Sequence, residues 1–174
     1  MPKLIKNGRL VDDSAEILVL DESQAPEALS LPAGPVFVPM AVWQAHKSAF
    51  SGRSDVGVWL DSHDNVEDLA PDLEDLSAVA LNFPKFTDGR AYSAAALLRS
   101  RYGFKGEIRA IGDVLRDQFF FMQRCGFDAI QPKAGKYSDA QLEESLASLK
   151  DFSAPYQAAV DQPEPLFRRA QRVA

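Results

Sequence analysis

A single cysteine, Cys125, occurs in the 174 residues. That excludes an internal disulfide and any cysteine-rich zinc or iron–sulfur site built by one chain. Long apolar runs are missing too. No stretch approaches the roughly 18 residues of a membrane-spanning helix, and the N-terminus from Met1 to Gly8 has no apolar core of signal-peptide length. There is no excess of basic charge. The formal net charge is -6, which argues against non-specific nucleic-acid binding, since that needs a basic face. No GxGxxG follows an apolar run, and GxxxxGK[ST], GxSxG and HExxH are absent. The sequence therefore supports neither a Rossmann-bound nucleotide or flavin nor a metal or haem centre. His46 and His63 have no partner set for a triad or a metal site and read as solvated or locally bonded imidazoles. Cys125, at a helix end where the dipole disfavours a thiolate, reads as a packed thiol. A soluble cytoplasmic protein without a cofactor is the expectation.

What is present describes one globular domain, 1–174, with 46% hydrophobic and 25% charged residues. Leu4-Ile5-Lys6 and Arg9-Leu10-Val11 flank Asn7-Gly8, a strong hairpin-turn pair, so 1–20 is expected to hold an N-terminal β-hairpin, with Ile17–Leu20 as a further strand. From 35 to 150 apolar strand-like runs alternate with helical patterns. The strands are expected at 36–40, 56–60, 78–83, 107–112 and 128–131. Helices are expected at about 41–50, 66–76, 92–102, 115–125 and 138–149, the last capped by Ser138. Phe119-Phe120-Phe121-Met122 is too broad for one apolar stripe and reads as core plus an oligomer contact. Short connections between apolar strands and covering helices mean parallel βα units. These could form an open doubly wound sheet or a partial (β/α) barrel. The partial barrel leaves strand edges open, which implies a homodimer or edge covering by the hairpin. The Pro-rich tail, 151–174, ends in basic residues and reads as a docking or flexible segment.

In either architecture the loops after parallel strands emerge on one rim, where α/β proteins usually hold ligands. Spacing places Asp61, Ser62 and His63 there, with Lys85, Thr87, Asp88 and Arg90 on the next loop. Asp113 and Arg116 follow on the third, and Lys133 and Lys136 on the fourth. The functional reading is an anion site made by Lys85, Arg90, Arg116 and Lys133, with Asp88 or Asp113 serving as acid, base or orienting group. The structural reading has Asp113 capping the following helix, Asp88 closing a turn with Gly89, and Arg90 pairing with a nearby carboxylate.

The opening Met1–Asp13, the Leu31-Pro-Ala-Gly-Pro35 turn, Phe83-Pro-Lys-Phe-Thr-Asp-Gly-Arg90, Arg109–Gln118, Arg124–Asp128 and Phe152–Gln157 together resemble a bacterial family, domain of unknown function 934. Its members are encoded beside assimilatory sulfite reductase genes and carry the label of an oxidoreductase of sulfite reduction. The resemblance implies a place in sulfur assimilation, either as an enzyme component or as an accessory that docks on sulfite reductase or another enzyme of that route. It supplies no catalytic residues.

Overall fold

The structure is a computed structural model and describes residues 3–21, 24–150 and 156–169. Met1, Pro2, the stretch Phe152–Pro155 and the end of the tail, Gln171 and Arg172 among them, lie outside the described residues. The strands are β1 (Lys3–Lys6), β2 (Arg9–Asp12), β3 (Glu16–Ile17), β4 (Val36–Pro39), β5 (Val56–Leu60), β6 (Ala78–Phe83), β7 (Glu107–Gly112) and β8 (Ala129–Pro132). They form one sheet in the order β2-β1-β8-β7-β6-β5-β4-β3. From β3 to β8 each strand lies beside and parallel to its predecessor in the chain. Crossovers between adjacent parallel strands are right-handed, so steps that all run one way place all the helices on one face. A doubly wound sheet reverses its strand order part-way; this one does not. The partial barrel is the alternative observed.

Two edges and a short link require the sheet to curl. β2 and β3 lie at opposite edges, yet Asp13, Ser14 and Ala15 are all that join them. Flat, eight strands at about 4.8 Å spacing would hold their edges about 34 Å apart. Four Cα steps from Asp12 to Glu16 reach at most about 14 Å. The sheet therefore bends into a half-barrel whose edges face one another. The hairpin lies antiparallel on β8, with Ile5 opposite Ile130, so it covers that edge as expected.

Alternation along the strands divides the side chains between two faces. Val36, Val38, Val58, Leu60, Val79, Leu81, Phe83, Ile108 and Ile130 are buried on the convex side. The helices there are α1 (Met40–Phe50), α2 (Val66–Leu69), α3 (Arg90–Ser100), α4 (Phe119–Cys125) and α5 (Asp139–Ser145); a short α6 (Leu166–Arg169) follows. Burying each large apolar side chain contributes about 1.5–3 kcal/mol, so this layer is the main store of stability. Three expected helices are shorter than their patterns. Pro71 removes a backbone donor, and the pattern 66–76 becomes α2 followed by a 3-10 turn, Ala70–Asp75. A 3-10 turn, Arg116–Gln118, precedes α4, and another, Leu146–Lys150, follows α5. Ser138 caps α5 as expected, accepting from the Gln141 N–H. The strand expected at 17–20 is reduced to Glu16–Ile17.

The concave face holds a smaller apolar group, Phe37, Ala80 and Ile111, with Ile17 and Trp59 packed against it. Trp59 is an internal tie, its Nε1 donating to the Leu18 carbonyl at 2.7 Å. Phe37 lies across Gly57 on the next strand: a Cβ on Gly57 would stand 2.5 Å from the ring. Gly57→Ala is therefore expected to cost about 1–3 kcal/mol, the range for over-packing. Urea unfolding checks this as a lower midpoint at unchanged slope. An unchanged midpoint would show that the Phe37 ring yields without cost.

Candidate functional site

The rim is built on the carboxyl ends of β5, β6, β7 and β8. After β5, the Asp61 carboxylate accepts from the Ser62 N–H at 2.7 Å and from Asn82 Nδ2 at 3.0 Å, joining the ends of two strands. Asp64 accepts from the Asp61 N–H at 2.8 Å. His63 stands exposed, its ring nitrogens each 3.7 Å from one of these two carboxylates. His46 sits on α1 and bonds the Pro26 carbonyl at 2.8 Å, far along the chain from the rim loops. Burial pushes the half-buried Cys125 thiol up to about 11.

The β6 loop carries the central candidates. Arg90 opens α3 and grips Asp88 with two donors, Nε at 3.0 Å and Nη2 at 2.6 Å, while Nη2 also reaches Ser62 Oγ at 2.9 Å. A bidentate guanidinium favours the ionised carboxylate. The Arg90 side chain, helped by its own backbone N–H, holds Asp88 down at about 2. Asp88 also closes a turn, its N–H donating to the Lys85 carbonyl at 2.9 Å. Lys85 is exposed, with no side-chain ion pair among the described residues.

Asp113 is the knot between the β6, β7 and β8 ends. Gly112 makes this possible: its φ of +96 suits glycine, and a Cβ there would meet Asn82 Oδ1 and the Phe83 carbonyl at 2.5 Å. The Asp113 N–H then donates to Phe83 at 2.7 Å, and its carboxylate accepts from the Phe86 N–H at 3.1 Å and from Lys136 Nζ. The Lys136 bond, the Phe86 N–H and attraction from Lys136 and Lys133 lower its pKa below the ordinary value. Asp113 does not cap the following helix. That turn is closed instead by Gln118, whose Oε1 accepts from the Leu115 N–H at 3.0 Å. Arg116 points elsewhere: its Nε donates to Ser148 at 2.8 Å and its Nη2 to the Glu144 carbonyl at 3.2 Å. It fastens the turn after α5 to the 3-10 turn before α4.

The structure thus gathers Lys85, Asp88, Arg90, Asp113 and Lys133 on one rim and sends Arg116 away from it. Both candidate carboxylates are ionised and committed to cations, an arrangement that orients loops. A base or acid working near neutral pH needs a pKa close to that pH, and neither carboxylate has one. Among the described residues, no cluster of three His, Cys, Asp or Glu side chains could hold a metal ion, and no helix is long and apolar enough to cross a membrane.

A family of bacterial proteins of unknown function, DUF934, matches residues 57–167. The chain belongs to this family. The match runs from β5 to α6 and includes all four DUF934 rim loops. No curated protein and no solved structure matches the chain.

Sequence reasoning missed a second polar cluster, on the concave face. Arg109 is 4% exposed and lies over the Phe37 ring at 4.5 Å. Its Nη1 reaches Asp13 at 2.5 Å and Gln131 Oε1 at 2.9 Å, and its Nε reaches Glu107 at 2.7 Å. Glu107 in turn pairs with Lys6 at 2.5 Å. The available signal was the alternation Glu107-Ile-Arg109-Ala-Ile111, which puts both charges on one face of an otherwise apolar strand.

In a carbon-detected NMR titration, Asp88 is expected to show a pKa of about 2, rising toward 3.8 in Arg90→Ala. The folded value is depressed, so the stabilisation from this pair is present above 3.8 and lost as pH falls toward about 2. An unshifted Asp88 in the wild-type chain would contradict the bidentate pair.

Proposed function

We propose that the rim between the β6 and β8 loops binds a small oxyanion, and that the protein serves as a cytoplasmic accessory or oxidoreductase component of sulfite reduction. One observation carries the binding reading: Lys133 and Lys136 stand at a single carboxylate, Asp113, and the exposed Lys85 lies on the loop that the same carboxylate holds, leaving positive charge in excess. Lys136 bonds that carboxylate, Lys133 lowers its pKa, and Lys85 precedes Phe86, whose N–H bonds it. A doubly charged anion such as sulfite or sulfate would neutralise this excess, with Arg90 beside it held in place by Asp88. Asp88 and Asp113 act as orienting groups. The pathway is supported by the sequence resemblance to proteins encoded beside sulfite reductase genes.

A second reading, a docking module for sulfite reductase or its electron donor, is favoured by Leu166 and Phe167, 43% and 68% exposed on α6 next to Arg168 and Arg169. An apolar pair beside basic residues suits a partner with an acidic-rimmed groove.

Calorimetric titration with sulfite and sulfate tests the first reading. The double substitution Lys85→Ala and Lys133→Ala is expected to weaken binding about five- to tenfold, the effect of removing two exposed charge contacts. Equal affinity in wild type and variant would remove the rim from consideration. Growth of a deletion strain on sulfate, sulfite, sulfide and cysteine tests the pathway, the expected defect lying before sulfide. Co-purification of Leu166→Ala, Phe167→Ala protein with sulfite reductase tests the docking reading: undiminished capture would exclude α6 as the contact.

A further inference from the structure

We propose that the groove between α3, α4 and the segment 156–163 is a second ligand site, suited to an amphipathic anion with an apolar, flat body and one acidic group. It lies toward the amino ends of β7 and β8, because its walls come from the end of α3, the turn before β7 and the residue before β8. It is therefore separate from the rim and independent of the function proposed there.

The cavity measures about 830 Å³, within the range of small-molecule sites, about 300–1,000 Å³. Phe104, Phe121, Cys125, Val160 and Pro163 give it apolar walls. Phe121 packs against the Tyr92 ring at a tilt, with centroids 4.9 Å apart, yet remains 49% exposed. The half-buried Cys125 thiol stays neutral, which suits a wall and not a nucleophile.

Three cations line the groove, and two of them are already engaged. Arg99 donates to the carbonyls of Phe104, Gly106 and Gly126 and pairs with Asp128, so it frames the floor. Arg124 Nη2 donates to the Gln157 carbonyl at 2.7 Å. Lys105 is exposed, with no side-chain partner among the described residues, and is free to take a ligand's charge. An acidic head at Lys105 leaves the apolar body against Phe104 and Phe121.

The segment 156–163 is the wall most able to adjust. It bonds α4 at Val160, whose N–H reaches the Arg124 carbonyl at 3.1 Å. Beside that bond, Arg124 Nε and Gln162 Oε1 are buried without hydrogen-bond partners, and Asp161 stands 3.8 Å from Nε, beyond hydrogen-bond length. Buried polar atoms left unpaired weaken the packing they belong to. A shift of this wall around a ligand gives up little and can pair those atoms.

Fluorescence titration with anilinonaphthalene sulfonate, and with phenylnaphthylamine as the same ring system without the acid, tests the site. The sulfonate is expected to bind saturably and about tenfold more tightly than the neutral probe, the effect of one charge-assisted contact. Lys105→Ala should bring the two probes together, and Ala96→Trp, which fills the groove, should abolish both signals. Should Ala96→Trp fail to fold by circular dichroism, Lys105→Glu, at an exposed position, must weaken the sulfonate more than the neutral probe. Non-saturable binding, or sulfonate affinity indifferent to Lys105, would overturn the proposal.

Discussion

The guanidinium of Arg109 occupies the inside of a curled sheet, and the rest of the fold is arranged around that placement. A charge removed from water is costly unless it is paired and fully hydrogen-bonded. Here it is met by Glu107 on its own strand, Gln131 on β8, Asp13 on the link between the two sheet edges, and the face of Phe37 on β4. Glu107 and Gln131 lie on the same and the adjacent strand, but Asp13 comes from the edge link and Phe37 from three strands away, so those two contacts need the sheet to bend. The three-residue link forces the edges together; Arg109 gives the inside of the bend something to close upon. Lys6 extends the cluster to the hairpin through Glu107. In this way the edge strands are tied to the centre through side chains as well as backbone.

Bending the sheet also determines where its ends point. Because successive strands are neighbours, the four rim loops are neighbours too, and Asp113 can reach Phe86 on one side and Lys136 on the other. The same order at the opposite end brings the end of α3 beside the turn before β7, forming the floor of the second groove. The polar rim and the apolar-walled groove thus arise from one winding pattern at its two ends. The rim offers cations around carboxylates held below their ordinary pKa. The groove offers aromatic walls and Lys105, a lysine with no side-chain partner among the described residues.

Much of this was legible in the residues. Strand positions followed apolar runs of fitting length, Asn7-Gly8 marked the hairpin, and Ser138 marked the start of α5. That Arg90 pairs with a neighbouring carboxylate was one of two readings the loop allowed, and the structure makes Asp88 that carboxylate. Strand order was not legible, because apolar runs report burial and not neighbours; the short reach from Asp12 to Glu16 was the cue, and it becomes decisive only once β2 and β3 are known to lie at opposite edges. Arg116 was misplaced because position after a strand says nothing about side-chain direction, and Ser148 comes from a turn far along the chain. Asp113 resembled a helix cap by position. The left-handed Gly112 turns it inward instead, toward the neighbouring loops.

The most direct test of the central claim is a double-mutant cycle in urea unfolding on Arg109 and Asp13, the pair that ties the middle of the sheet to its edge link. Arg109→Met leaves Glu107 and Asp13 without their buried cation and is expected to cost about 3–5 kcal/mol. Asp13→Asn in that background should cost much less than in the wild type, with a coupling of at least about 1 kcal/mol. A loss below about 1 kcal/mol for Arg109→Met, or additive effects of the two substitutions, would show that the curl holds without this cluster.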